Sequence, residues 1–380
     1  MPESPLPPLS LPYRTGSLTG IGGRLRVSVD DFAVDEVPAY PAEGAGDHVF
    51  VHVEKRGLTT PEAAQRLATA AGVAARDVGW AGMKDRHAVT RQWLSLPPPA
   101  RPEAIADLSI EGLTVLAAVR HRHKLRTGHL RGNRFALVVR EVGPDAAAQA
   151  RAILAALADG APNWYGEQRF GARGDNAAAG LAIIRAGGKG GGPPKRKRLL
   201  VSSLQSYLFN RWLAERLDDG LATTVLAGDV LEKTASGGLF VSTEPAVDQA
   251  RLDAGEVALT GPMFGAVMKA PPVDSPAGIR EARLLAPVAL GPAEFARLGD
   301  LASGTRRTAF LRLSDAAVEQ LAPDAIRVTF SLPAGAYATA IMREVQKCSD
   351  GFGHDHPPAS GGPGDADDPS DPEPLPSTSS

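Results

Sequence analysis

One cysteine, Cys348, stands in a chain of 380 residues, which excludes a disulfide framework and any zinc site built on cysteines. No run of about 18 consecutive apolar residues occurs, so no membrane-spanning helix is expected. The Pro-rich start, MPESPLPPLSLP, has neither a basic beginning nor an unbroken apolar stretch and does not read as a secretory signal. There is no phosphate-binding loop ending in Gly-Lys-Ser/Thr, no dinucleotide fingerprint after a strand, and no Gly-x-Ser-x-Gly nucleophile elbow. The GGKGGG stretch at 187–192 lacks the strand–helix frame such motifs need. Internal repeats are absent too, which argues against a solenoid. What remains is an ordinary soluble balance, 43% hydrophobic and 22% charged, with a length suited to two domains and a cytoplasmic location expected.

The charge is unevenly spread. Net charge is -2, but residues 351–380 carry Asp355, Asp365, Asp367, Asp368, Asp371 and Glu373 and no Lys or Arg. Without those six acids the rest of the chain holds 41 basic against 37 acidic residues, a net of +4. The tail is rich in Gly, Pro, Ser and Asp and reads as disordered from 348 onward, because it cannot bury enough apolar surface to offset its ordering entropy. A mildly basic body is compatible with nucleic-acid binding without establishing it.

Patterning predicts a mixture of strands and helices. Arg24–Val37 reads as extended with an interruption at Asp30–Asp31, and Asp47–Glu54 as a strand in which three valines alternate with His48, Phe50, His52 and Glu54. Thr60, Pro61 and Glu62 open a helix that Gly72 closes. Short strands are expected at Val78–Ala81, Gln92–Leu96 and Phe135–Arg140, then a helix over Asp145–Ala158 ending at Gly160. After residue 160 the character changes: 161–174 is dense in Gly, aromatics and polar residues, and 187–198 is a Gly/Pro loop closed by four basic residues. The helix that follows places Leu200, Leu204, Tyr207, Leu208 and Trp212 along one side. A strand returns at Ala325–Leu332. The fold class is α/β or α+β, with a boundary near 160.

Two windows could carry chemistry. In GMKDRHAVTRQW (82–93) a single acid, Asp85, sits among Lys84, Arg86, His87 and Arg91. Cations this close hold a carboxylate ionised, so Asp85 is either a nucleophile or base on a glycine-containing loop or half of an ordinary surface ion pair. In RHRHKLRTGHLRGNR (120–134), Arg120, Arg122, Lys124, Arg126, Arg131 and Arg134 stand with three histidines and no acid. That composition suits a phosphate backbone, though a solvated charged loop has the same composition. His121 and His123 lack further ligands at suitable spacing, so no metal is expected. Lys195, Arg196, Lys197 and Arg198 read as a flexible phosphate contact or a solvated loop.

The motifs together are more specific than either window. WAGMKDRHAVTRQW (80–93), RHKLRTGHLRGNRF (122–135), PNWYGEQRFG (162–171), TGPMFG (260–265) and LPAGAYATAIMRE (332–344) resemble, in order and spacing, the TruD family of tRNA pseudouridine synthases, and DDFAVDEVPAY (30–40) and EKRGLTT (54–60) extend the match. The resemblance spans about 14–347.

It implies isomerisation of uridine to pseudouridine at position 13 in the D-arm of tRNA, without cofactor or metal. It puts the family's catalytic aspartate on Asp85 and its basic partner on Arg26. Substrate-site aromatics fall on Phe32 and on Tyr337, where Tyr replaces a frequent Phe. Asn133 and Phe135 match the residues that hydrogen-bond and stack on the target base, which must leave its own stack to react. Phosphate contacts are expected from Lys84, Arg86, Arg122, Lys124, Arg126, Arg131 and Lys195–Arg198.

The implied architecture is a pseudouridine-synthase catalytic domain, with a mixed, mainly antiparallel sheet, at 14–160 plus 314–347. An α/β TRUD domain would be inserted at 161–313, between a flexible N-terminus at 1–13 and the acidic tail at 348–380. A monomer is the default expectation. Two other readings share the motifs: the same chemistry on another RNA, and a non-catalytic RNA-binding module. The second has no use for an acid beside a base-stacking ring.

Overall fold

Alternation marks the larger sheet. Val49, Val51 and Val53 are wholly buried while His48, His52 and Glu54 are only partly so, the period-two signature of a strand with one face on a core. Phe50, on the opposite face, is also buried, with Ala81 and Leu125. The computed structural model describes residues 6–348; the acidic residues of the expected tail lie outside the described residues. The chain falls into two compact units, one of residues 18–156, 313–338 and 342–348, the other of residues 6–17, 157–312 and 339–341. Among the described residues no helix is long and apolar enough to cross a membrane.

The first unit is a nine-stranded sheet. Its main path runs Ser314–Ala322, Ala325–Pro333, Leu130–Arg140, Phe32–Pro38, Val89–Leu96, His48–Arg56 and Leu113–His121. Arg24–Leu25 adds to Leu130–Arg140, and Gly79–Trp80 to Val89–Leu96. Only Phe32–Pro38 and Val89–Leu96 run parallel, so the sheet is mixed and mainly antiparallel. The returning strand Ala325–Pro333 lies against Leu130–Arg140 from Ala325↔Arg140 to Pro333↔Gly132; the sequence pattern alone gave it no neighbour. That ladder is tight at Gly132, where a Cβ would stand 2.1 Å from the Leu332 carbonyl oxygen, so the glycine belongs inside the strand.

One helix covers the sheet where the first window lies. Thr60–Ala71 begins with a capping box: the Thr59 hydroxyl accepts the Glu62 N–H at 3.3 Å, and the Glu62 carboxylate accepts the Thr59 N–H at 2.7 Å. It ends on Gly72 at φ 68°, a left-handed cap that glycine adopts without Cβ strain. Ala63, Ala64, Leu67 and Ala68 pack on Val49, Val51, Val53, Leu94 and Leu96.

The second unit is built around helix Pro194–Asp218, 25 residues long. Burial from Leu200 onward is not confined to the expected stripe: Val201, Ser203, Gln205, Phe209, Asn210 and Leu213 are buried as well. The helix is enclosed by neighbours, including helix Asn176–Arg185 and a four-stranded antiparallel sheet ordered Leu239–Val241, Val230–Lys233, Val257–Met263, Thr305–Thr308. Its start also corrects the reading of 187–198 as loop, because Pro194 opens the helix and carries Lys195–Arg198 into its first turns. Asn210 accepts the Tyr165 N–H and donates to the Tyr165 carbonyl, both at 2.9 Å, so the PNWYGEQRFG motif serves here as a structural clamp. The described part of the expected flexible N-terminus is held: Leu6 is buried and the Tyr207 hydroxyl donates to the Pro7 carbonyl at 2.8 Å.

Candidate active site

Asp85 lies in the loop between strands Gly79–Trp80 and Val89–Leu96. One carboxylate oxygen accepts the His87 N–H at 3.0 Å, and the other meets Arg26 Nη1 at 2.8 Å. Burial raises the carboxyl's pKa, but the Arg26 guanidinium and the His87 N–H outweigh it and hold the group below its ordinary value. Arg26 reaches this position from a left-handed backbone, φ 62°, costly for a residue with a Cβ and typical of functional sites. The same guanidinium lies 3.9 Å from the centre of the Phe32 ring, a cation–π contact that fixes its approach. The acid and the cation that the family resemblance paired are therefore in contact.

The sheet supplies the rest. Phe32, Val34 and Glu36 stand opposite Leu137, Phe135 and Asn133 in the antiparallel register, and residues facing one another across such a pair point to one side. Phe32 meets Phe135 edge to face, centroids 6.5 Å apart, and Phe135 lies against Phe330 at 5.6 Å. Both rings are mostly buried, at 4% and 7% exposure, so each offers only a margin of its surface. Asn133 Oδ1 is buried and accepts no hydrogen bond from any described residue. An unpartnered buried acceptor is costly unless a ligand or water completes it. Tyr337 caps helix Ala338–Gln346, four residues beyond Pro333, whose register partner is Gly132.

The expected RNA contacts divide. Lys84 does not belong among them: its ammonium is buried on Glu36 at 2.6 Å, with side-chain exposures of 4% and 1%. Glu36 also accepts the Trp93 N–H at 3.2 Å. A cation withdrawn into a dry ion pair cannot reach phosphate, and the pair ties the Asp85 loop to strand Phe32–Pro38. Arg86 is half-exposed, donating to the Gly57 carbonyl and 3.6 Å from Glu62.

Arg122, Lys124 and Arg126 surround a cavity of about 670 Å³ together with Tyr40, Glu43, His48, His121, His123 and His129. Arg122 pairs with Glu43 at 3.0 Å there, and Arg131 is exposed on the following strand. Lys195, Arg196 and Arg198 are exposed in the second unit, while Lys197 donates to the Gly188 carbonyl at 2.9 Å. Among the described residues no three His, Cys, Asp or Glu side chains gather as a metal site.

Three groups near Asp85 were not singled out by sequence: Glu36, Thr60 and Lys55. The Thr60 hydroxyl accepts the Lys84 N–H and donates to Gln92 Oε1, both at 2.9 Å. Lys55 is wholly buried, and the signal for it was available, since it continues the inward phase of Val49, Val51 and Val53.

The sheet and its loops thus bring together an ionised aspartate beside an arginine, two aromatic rings and an unsatisfied amide oxygen. The sequence pattern of tRNA pseudouridine synthase D (TruD) matches residues 9–190 and 192–345. A tRNA pseudouridine synthase D from Anaeromyxobacter dehalogenans strain 2CP-C is 50% identical over 343 residues, covering 89% of this chain and 96% of its own. One from Thermus thermophilus is 41% identical over 341 residues, covering 90% and 93%. The solved structure of a TruD protein from Methanosarcina mazei superposes with a TM-score of 0.74 over 89% of this chain and 96% of its own, at 23% identity, a likeness of fold. The chain belongs to the TruD family of tRNA pseudouridine synthases.

Proposed function

We propose that this protein isomerises uridine to pseudouridine in tRNA, at position 13 in the D-arm, with Asp85 as the catalytic residue. The N1–C1′ bond of the nucleoside breaks, uracil turns within the site, and C5 joins C1′. N1 gains a proton as C5 loses one, so no redox partner is required. Both routes open to Asp85, attack on the sugar and proton removal at C2′, need the ionised carboxylate.

The observation that carries the reading is the Asp85–Arg26 pair at 2.8 Å set beside Phe32 and Phe135. Arg26 keeps the acid charged, and the open margin of Phe135 takes the flipped base. Asn133 Oδ1 is suited to the uracil N3–H, which would complete its missing hydrogen bond. Phe32 and Tyr337 bound the pocket. Arg86, Arg122, Lys124, Arg126, Arg131 and the Lys195–Arg198 cluster contact phosphates, which position the RNA without reading its sequence. The sheet unit serves as the pseudouridine-synthase domain and residues 157–312 as the TRUD insertion. The enzyme works without cofactor, as a cytoplasmic monomer.

The test is product mapping at single-nucleotide resolution after incubation with unmodified tRNA. Pseudouridine at position 13 is the expected product. Product at another position would move the substrate assignment, and tRNA binding without any product would leave an RNA-binding module.

A further inference from the structure

We propose that Lys55 is a positioning residue for the Asp85 carboxylate, acting through the main chain of the 81–88 loop. The inference rests on Asp85 being the catalytic residue. Lys55 sits at the end of the inward phase of strand His48–Arg56 with no exposed surface. Its ammonium donates to three main-chain carbonyls: Leu58 at 2.6 Å, Asp85 at 2.8 Å and Lys84 at 3.3 Å. It makes no ion pair with any described carboxylate. A buried ammonium is costly, and one held only by carbonyl dipoles is an expensive device for packing alone.

What it achieves is local. Around Asp85 the Lys84 N–H is held by Thr60 and the Lys84 side chain by Glu36. The carbonyls of Lys84 and Asp85 are left to Lys55. Of these anchors, Lys55 alone touches the main chain of Asp85. Its three ammonium protons match three carbonyls, so the Asp85 backbone is fixed and its carboxylate is aimed at Arg26. Neither Leu nor Met in this position could hold the carbonyls, although both would fill the volume.

The arrangement has a titratable signature. Burial lowers the Lys55 pKa to about 8; Asp85 pulls it up, Lys84 pushes it down, and Glu62 on the covering helix pulls it up. The positively charged form predominates below that pH, and it is the form that grips the loop with three donors. Loop anchoring therefore weakens as pH rises through about 8.

The experiment is single-turnover pseudouridine formation on unmodified tRNA for wild type, Lys55→Met, Lys55→Arg and Asp85→Asn. Rates are taken from about pH 6 to 9.5, with tRNA Kd and Tm measured in parallel. Lys55→Met should lose on the order of 30-fold or more in rate near neutral pH while its tRNA Kd stays within about threefold. The wild-type rate should fall through about pH 8, and Lys55→Arg, whose guanidinium does not titrate in this range, should lack that fall whatever its absolute rate.

A folded Lys55→Met within about threefold of the wild-type rate would overturn the proposal. If Lys55→Met does not fold, the wild-type and Lys55→Arg profiles decide: equal alkaline behaviour in the two would overturn it. Full activity in Asp85→Asn would instead overturn the assignment of the catalytic acid, a failure distinct from that of Lys55.

Discussion

The Asp85 side chain keeps 36% of its surface exposed, and its charge is held by Arg26 as well as by water. Burial opposes ionisation, and the guanidinium at 2.8 Å with the His87 N–H overcomes it. A lowered pKa means that the charged form persists down to pH values below the ordinary carboxyl range, near 4, and is lost only on further acidification. The acid limb of the single-turnover rate should therefore not reflect Asp85 between about pH 5 and 7. Arg26→Gln removes the guanidinium that lowers the Asp85 pKa, so the Asp85 limb should move to higher pH. A limb that stays in place in Arg26→Gln would show that Arg26 does not hold the charge. The left-handed backbone at Arg26, φ 62°, is a local cost on the order of 1–3 kcal/mol, which the pairing geometry at the site offsets.

At the scale of elements, the Asp85 loop is pinned to two strands and a helix. Lys84 illustrates why charge in a sequence is a poor guide to surface: its neighbours Arg86 and His87 are exposed, while it turns inward to Glu36. Lys84→Met should destabilise the protein by about 3–5 kcal/mol, because the Glu36 charge is left buried without a partner. Its tRNA affinity at matched salt should be unchanged, measured by denaturant unfolding and filter binding respectively; an unaltered stability with weakened binding would return Lys84 to the RNA surface.

The Lys195–Arg198 cluster behaves in the opposite way. Four cations at a helix N-terminus work against its macrodipole by about 0.3–1 kcal/mol each, so replacing all four with Gln should not lower Tm. It should weaken tRNA binding and reduce the slope of log Kd against log salt by about 0.7–0.9 for each phosphate no longer neutralised. An unchanged slope would remove the cluster from the interface.

These two cases also show what the sequence made legible. The capped helix Thr60–Ala71 and the strand His48–Arg56 follow from local pattern, since their caps and alternation are written in adjacent residues. So does the isolation of one acid among cations at Asp85. Its contact with Arg26 is 59 residues away, and only the family motifs brought the two together. Strand Leu130–Arg140 begins five residues before the expected start at Phe135, and Gly132 lies inside it, where the Leu332 carbonyl across the ladder leaves no room for a Cβ. The Pro193–Pro194 pair reads as loop, yet Pro194 is a helix opener. The inward phase of its strand marks Lys55 as buried, but its role and that of Glu36 were hidden, because their partners are main-chain carbonyls and a lysine that only the folded sheet brings near.

At the scale of the molecule, the chain leaves the sheet unit near residue 156 and returns near 313, so the strands beside Leu130–Arg140 come from both sides of a long intervening unit. The net charge of the whole chain is an average over a basic body and the acids after residue 350. It therefore says little about how RNA is bound. The proposed site lies where the sheet brings Arg26, Phe32, Asp85, Asn133 and Phe135 together. The most direct measurement is pseudouridine formation on unmodified tRNA by wild type and Asp85→Asn, with binding measured on the same RNA. Asn is nearly isosteric with Asp but is neither a competent nucleophile nor a base. The account predicts product from the wild type and, from Asp85→Asn, intact tRNA binding with a rate lower by on the order of a thousandfold or more. Substantial turnover by a folded Asp85→Asn would contradict it.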